Sequence, residues 1–356
     1  MQHDTQPAIN TLETPPPIPT TPTLQPLKFN FSFHGSASEY FKIWLSNLFL
    51  TIITLSLYAP WAKVRRLRYF YGNTSLNQKH FDFTALPKRI LVGRIIAIIF
   101  FLAFSISSEI APEWALALLI LAIIFTPWLI RSTFRFHARN SKYANSRLQF
   151  TATMSTSYGM LLGCVLMTVF SFGLLYPLAV SAYKSYQINH LKIAQLPFKL
   201  NAPVSGYFAA ILLPYILTGL IFAVAIIIVT IIDTPEAFML ILTPIYLGAI
   251  FFIGPWIQGK LFKLIWNNVQ IGSTMYFQCD IKPIKFAWIS ASNYIVMLLS
   301  LGLLTPWAKI RLYRYKVESL SLHSTTSLQM LDFIPQQDEN SIAEELADVF
   351  DLDLSL

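Results

Sequence analysis

Apolar residues in this chain gather into long runs instead of spreading evenly. Seven runs stand out, at about residues 40–59, 90–107, 114–130, 158–179, 207–232, 238–257 and 286–305. Each is close to the roughly 20 residues that cross a bilayer as a helix. A backbone in lipid must satisfy its own hydrogen bonds, so the runs predict helices. Between Tyr207 and Ile232 there is no charged residue at all.

The polar breaks between runs have an order of their own. Anchored on proline they form five units, at Pro60, Pro127, Pro177, Pro255 and Pro306. Trp61, Trp128, Trp256 and Trp307 follow directly in four of them; the third has Leu178. Cations come next: Lys63, Arg65, Arg66 and Arg68; Arg131 and Arg135; Lys260; and Lys309, Arg311 and Arg314. The third unit keeps the frame and loses most of the charge. Each unit closes on a short alternating piece that reads as a strand. These pieces end at Phe83, Phe150, Leu200, Cys279 and Met330, and a further one, "FNFSF", precedes the first helix. The predicted fold class is therefore an all-α polytopic membrane protein. It has about seven hydrophobic helices in a five-unit internal repeat, with short interfacial amphipathic helices and short strands between units.

Units one, three and five carry one hydrophobic helix; units two and four carry two, joined by the acidic tips "SSEIAPE" and "DTPE". If every run spans, there are seven spans and the second half is inverted relative to the first, as in many transporters. If the single helices turn back, every basic residue shares one face. Charge favours the second arrangement. The length of run 40–59, with no Gly or Pro between Phe41 and Tyr58, favours the first, and seven spans is the expectation taken here.

Composition sharpens the membrane reading. Hydrophobic residues make up 54% and charged residues 12% of 356, about half the charge of an ordinary soluble domain. The net charge of +8 is unevenly placed, because all 26 Lys and Arg lie within 28–331. Residues 1–27 are rich in Pro and Thr and read as a disordered tail. Residues 332–356 are acidic without a single cation. There Ile342, Leu346, Val349 and Phe350 suggest a short amphipathic helix that would dock on the protein's own basic segments or on a protein partner; a solvated acidic tail is the plainer alternative. The middle segment, 28–331, is the repeat-built transmembrane domain. No cleavable signal peptide is visible, so the first hydrophobic helix is expected to act as the targeting signal.

Chemistry is sparse. No phosphate-binding glycine loop, dinucleotide fingerprint, zinc-protease motif or nucleophile elbow occurs. Six histidines are scattered, and two cysteines, Cys164 and Cys279, frame no disulfide network or metal site. The expectation is no enzyme, no cofactor and no nucleic-acid partner. The Trp-basic junctions predict contact with membrane lipids through anionic head groups. Inside the runs, Asn47, Thr51, Thr54 and Asn293 are the polar candidates, for a path or for helix packing.

One stretch carries a family resemblance. Residues 33–83 hold His34-Gly35, Asn47, Tyr58 with Pro60-Trp61-Ala62, Arg65, Arg68 and Asn73-Thr74; the fifth unit repeats Pro306-Trp307-Ala308, Arg311 and Asn293. This order resembles the YjgN-like family of bacterial inner-membrane proteins of unknown function, over roughly residues 29–331. The resemblance implies a multi-pass protein of the bacterial inner membrane and supplies no catalytic residue. A transport or channel-like role is the first functional expectation; a non-catalytic scaffold or anionic-lipid-interacting protein is the alternative.

Overall fold

Large apolar and polar residues alternate through β1 (Leu27–Phe33), so that Phe29, Phe31 and Phe33 share a side and Lys28, Asn30 and Ser32 the other. That is the period of a strand with one buried face. The computed structural model describes residues 26–232 and 234–325, and in it such strands join into one closed barrel. Both predicted tail features, at 1–27 and 332–356, lie outside the described residues apart from Pro26 and Leu27.

Five times the chain leaves the barrel on a strand, makes two helices and returns on a neighbouring strand. The first unit is β1, α1 (Ala37–Ile53), α2 (Ala59–Gly72) and β2 (Thr74–Leu76). The second is β3 (Lys79–Phe83), α3 (Pro87–Ile110), α4 (Pro112–Asn140) and β4 (Ser141–Tyr143). The third is β5 (Ser146–Phe150), α5 (Met154–Phe170), α6 (Tyr176–Asn189) and β6 (Leu191–Ile193). The fourth is β7 (Leu196–Leu200), α7 (Val204–Ile232), α8 (Pro235–Trp266) and β8 (Val269–Ile271). The fifth is β9 (Met275–Cys279), α9 (Pro283–Leu299), α10 (Thr305–Glu318) and β10 (Leu320–Ser324).

All neighbouring strands are antiparallel, and β10 closes on β1 from Leu27↔Ser324 to Asn30↔Ser321. Phe33 pairs with Thr74, Phe83 with Ser141, Phe150 with Leu191, Leu200 with Val269 and Cys279 with Leu320. Each helix pair therefore leaves and rejoins the barrel at the same rim. The tight turns between units lie at the other rim, where Asn77, Gln78, Ala144, Ala194 and Gly272 take positive φ. Every helix packs on the one before and the one after, and α10 packs on α1. A ring of helices thus stands on a ring of strands. The barrel interior is filled by Leu76, Tyr143, Ile193, Ile271, Met275 and Leu322. Phe31 stacks between Phe81 and Phe277 at 6.1 and 6.2 Å.

Two expectations are corrected here. The fold is not all-α: the short strands are the walls of a ten-stranded barrel. Strand ends at Phe83, Phe150, Leu200 and Cys279 fall where the alternation placed them; the last described strand ends at Ser324, and the expected end at Met330 lies outside the described residues. The return strands β2, β4, β6 and β8 have three residues each, too few for a period of two to register. Nor do all seven runs have the length of a span. Four helices among the described residues are long and apolar enough to cross a membrane: Pro87–Ile110, Pro112–Asn140, Val204–Ile232 and Met239–Trp266. In units one, three and five the chain turns back after a helix of 17 residues.

The turn is built identically in all three. Ser56, Gly173 and Gly302 have φ of 70°, 84° and 86°. Their amides donate to Thr51, Thr168 and Met297 carbonyls at 2.7–2.8 Å, the reverse bond that ends many helices. Thr54, Ser171 and Ser300 then accept from the amides of Tyr58, Leu175 and Leu304, starting the return helix. Pro60, Pro177 and Pro306 sit in its first turn, where no donor is needed. In units two and four the matching Pro127 and Pro255 lie inside continuous helices.

Candidate membrane-facing site

The three shorter hairpins, in units one, three and five, share a clasp. Asn47 Nδ2 donates to the Ala62 carbonyl at 3.4 Å, Cys164 Sγ to Ala179 at 3.4 Å and Asn293 Nδ2 to Ala308 at 2.9 Å. Each donor stands 15 residues before its acceptor. Asn47 and Asn293 therefore join the two arms of their hairpins. Thr51 and Thr54 donate back to Asn47 and Leu50 carbonyls at 2.7 Å on their own helix.

The predicted cations divide by task. Arg68 donates to the Phe83 and Ala85 carbonyls at 3.1 and 3.0 Å, Arg131 to Ala152 at 2.7 Å and Arg314 to Gly35 at 2.8 Å. Ala85, Ala152 and Gly35 each lie two residues past the end of a long strand, so each arginine ties a helix to the next unit. Arg314 makes that tie between the last unit and the first. These guanidiniums satisfy carbonyls at the strand-to-helix junctions, which no periodicity could foretell.

Others stay at the surface beside aromatic rings. Arg311 lies 5.1 Å from the Trp307 ring and Lys260 5.1 Å from Trp256, stackings that hold a cation over an indole face. Arg65 donates to Ser46 Oγ at 3.1 Å; Arg135 is half-buried along α4. Trp61 stacks on Tyr58 and Trp128 meets Phe125 edge-on, both half-buried. Lys63, Arg66 and Lys309 come together at a cleft beside α3, with Asn47, Thr51, Tyr40, Trp44 and Arg94.

Within that set, the sequence singled out Asn47, Thr51 and the cations but not Tyr40, Trp44 or Arg94. Arg94, on α3, joins that set through the packing of α2 against α3.

A model for the family described as "Bacterial protein of unknown function (DUF898)" matches residues 28–349. This chain belongs to that family. Among curated relatives of this DUF898 chain is the inner membrane protein YjgN of Escherichia coli K12, 28% identical over 127 residues. The alignment covers 35% of this chain and 32% of the relative. The inner membrane protein YjgN of Salmonella typhimurium LT2 is 29% identical over the same length and shares. The aligned stretch thus spans about a third of the curated relatives it matches. No solved structure matches significantly. The DUF898 match and these relatives agree with the resemblance carried by the Pro-Trp-Ala units, and the relatives' names place them in the inner membrane.

Proposed function

We propose that this chain is a multi-pass, non-catalytic protein of the bacterial inner membrane that engages anionic lipid from the cytoplasmic side. One observation carries the reading: all five helix pairs leave the same rim of a filled barrel, and three turn back after 17 residues. Such hairpins reach about 25 Å and enter from one side only. The return helices α2 and α10 carry their cations from the hairpin turn back toward the barrel rim, which supports contact with phospholipid head groups on that side. The acidic α3–α4 tip lies at the far end. An excess of Lys and Arg marks the cytoplasmic side, so the barrel belongs there.

The transport reading leaned on seven spans and an inverted second half. Four spans from one rim give no inversion, and an apolar barrel core offers no axial path. The equivalent clasps Asn47–Ala62, Cys164–Ala179 and Asn293–Ala308 support descent of the units from one internal repeat.

Sidedness is tested by cysteine labelling in a Cys164→Ser, Cys279→Ser background. Asn77→Cys, at a barrel turn, should resist an impermeant maleimide in intact cells, and Glu109→Cys, at the α3–α4 tip, should react. The reverse pattern would place the barrel outside. Lipid engagement predicts that protein purified in mild detergent retains anionic phospholipid above its share in the source membrane. Retention at the bulk ratio, with ion flux in proteoliposomes, would favour a channel instead.

A further inference from the structure

The strands of the barrel are strongly biased to one sign of charge. They carry Lys28, Lys79, Lys142, Arg147, Lys192 and Lys199 against a single acid, Asp82. On five strands the positions that alternate with the apolar core residues fall into one continuous row. Lys28 on β1 lies opposite His323 on β10, and His323 opposite Tyr276 on β9. Tyr276 lies opposite Gln270 on β8, and Gln270 opposite Lys199 on β7. At about 4.8 Å between strands the row is about 19 Å long. His323 lies flat on Tyr276, with ring centroids 5.0 Å apart and planes 10° from parallel. Asp82 stands outside the row, on β3 opposite Lys142.

The row is open. Lys28, Gln270 and Lys199 are exposed, and Tyr276 keeps 40% of its surface. Among the described residues Lys28 and Lys199 make no hydrogen bond and no ion pair. The chain supplies a matching segment of its own. It leaves the barrel after β10, and the Thr325 amide donates to the Thr274 carbonyl at 3.1 Å. Thr325 stands two residues past His323, about 7 Å from the row. Residues 332–356 hold 8 Asp and Glu and no Lys or Arg. The six residues between, 326–331, reach up to about 20 Å when extended, enough for either end of the row. Residues 1–25 hold only Asp4 and Glu13, so charge selects the C-terminal segment. Between its acids, Ile342, Leu346, Val349 and Phe350 recur at helical spacing. They give it apolar groups for the exposed ring of Tyr276.

We propose that the acidic segment 332–356 docks on this row of its own barrel, with carboxylates against Lys28 and Lys199 and an apolar side chain against Tyr276. The proposal is independent of the lipid reading, because the row lies on the barrel wall and not on the return helices. A single exposed ion pair contributes little. Several held together by an aromatic contact carry the docking, and salt weakens it.

Photocrosslinking in the full-length chain tests this. Gln270, between Tyr276 and Lys199, is replaced by p-benzoylphenylalanine, and native membranes are irradiated. Mass spectrometry should find the adduct on residues 332–356 of the same chain, at unchanged monomer mass. Raising salt from about 0.05 to about 0.5 M should lower its yield roughly fivefold. Lys28→Gln combined with Lys199→Gln should lower it by about the same factor at low salt. Lys28→Glu combined with Lys199→Glu should abolish it, and adding Glu344→Lys with Glu345→Lys should bring it back. The salt series needs no charge variant, so it decides the matter even where a variant fails to fold. Adducts on lipid, on another protein or on a second copy (seen at doubled mass) would overturn docking within the chain. An adduct on 332–356 that ignores salt and both lysines would overturn the charged row as its seat.

Discussion

At the scale of single residues, two asparagines in matching places have different energetic standing. Asn293 is 4% exposed, bonds Ala308 at 2.9 Å and accepts from Arg311. Its replacement by Leu removes a charged hydrogen bond and should cost about 2 kcal/mol. Asn47 makes one long bond and leaves an acceptor unmet, so Asn47→Leu should cost under about 1 kcal/mol. Thermal unfolding of the two variants in the same detergent checks the order; an equal loss would contradict it. Lys184 on α6 gives a pH signature. Burial, with Lys316 nearby, holds its pKa below the usual lysine range. Below its ordinary pKa of 10.5 the unfolded chain keeps this proton, while the folded chain gives it up earlier. Stability from this group therefore rises with pH through that window and is lowest at neutral pH. The thermal midpoint of wild type relative to Lys184→Met should climb as pH rises toward 10.5. A flat difference would remove the effect assigned to this lysine.

Elements are where sequence and structure part most clearly. In the turns of the shorter hairpins, Gly173 and Gly302 have φ of 84° and 86°, and a Cβ would meet nothing at Gly173 and only Thr305 Oγ1 at 3.9 Å at Gly302. Substituting Ala at either should cost about 1 kcal/mol through backbone strain alone. Ser56 occupies the matching turn at φ 70°, so Ser56→Gly should stabilise by up to about 1 kcal/mol. Urea or thermal midpoints moving in opposite directions would bear this out; both falling would not. These turns were partly legible. "SFGLLYP" and "SLGLLTP" place Gly four residues before Pro, a helix stop followed by a helix start. The first unit, "TLSLYAP", hides the same turn because serine fills the glycine's place. Judged on that unit alone, an unbroken span was the natural expectation. The long helices α3, α4, α7 and α8 were legible because their apolar runs far exceed chance. The cleft was only half legible: its cations and Asn47 stood out by type and spacing, whereas Arg94 joins them through packing between units that local periodicity does not encode.

For the whole molecule, closure of the barrel is the feature farthest from the sequence, since it pairs residues nearly 300 positions apart. β1 and β10 are neighbours, with Leu27 opposite Ser324. The seam between the last unit and the first is reinforced by Arg314 on the Gly35 carbonyl and by Thr74 Oγ1 3.1 Å from Tyr313 Oη. Every other unit boundary is a tight turn at the same rim, so the ring has no structurally privileged starting point. A circular permutant should therefore fold. It would join residue 325 to residue 26 through a short Gly-Ser linker and open between Asn77 and Gln78. Its new termini lie at the barrel rim, as residues 26 and 325 do, so no helix changes the side from which it enters the membrane. The permutant should run as one species in detergent, with a thermal midpoint within about 5 °C of the parent. Opening at Gly173 instead places charged termini at the buried end of a hairpin, where they are costly, and should give aggregated chain. If both permutants aggregate, closure of the ring is not the organising contact; if both fold, the α5–α6 turn does not lie in lipid.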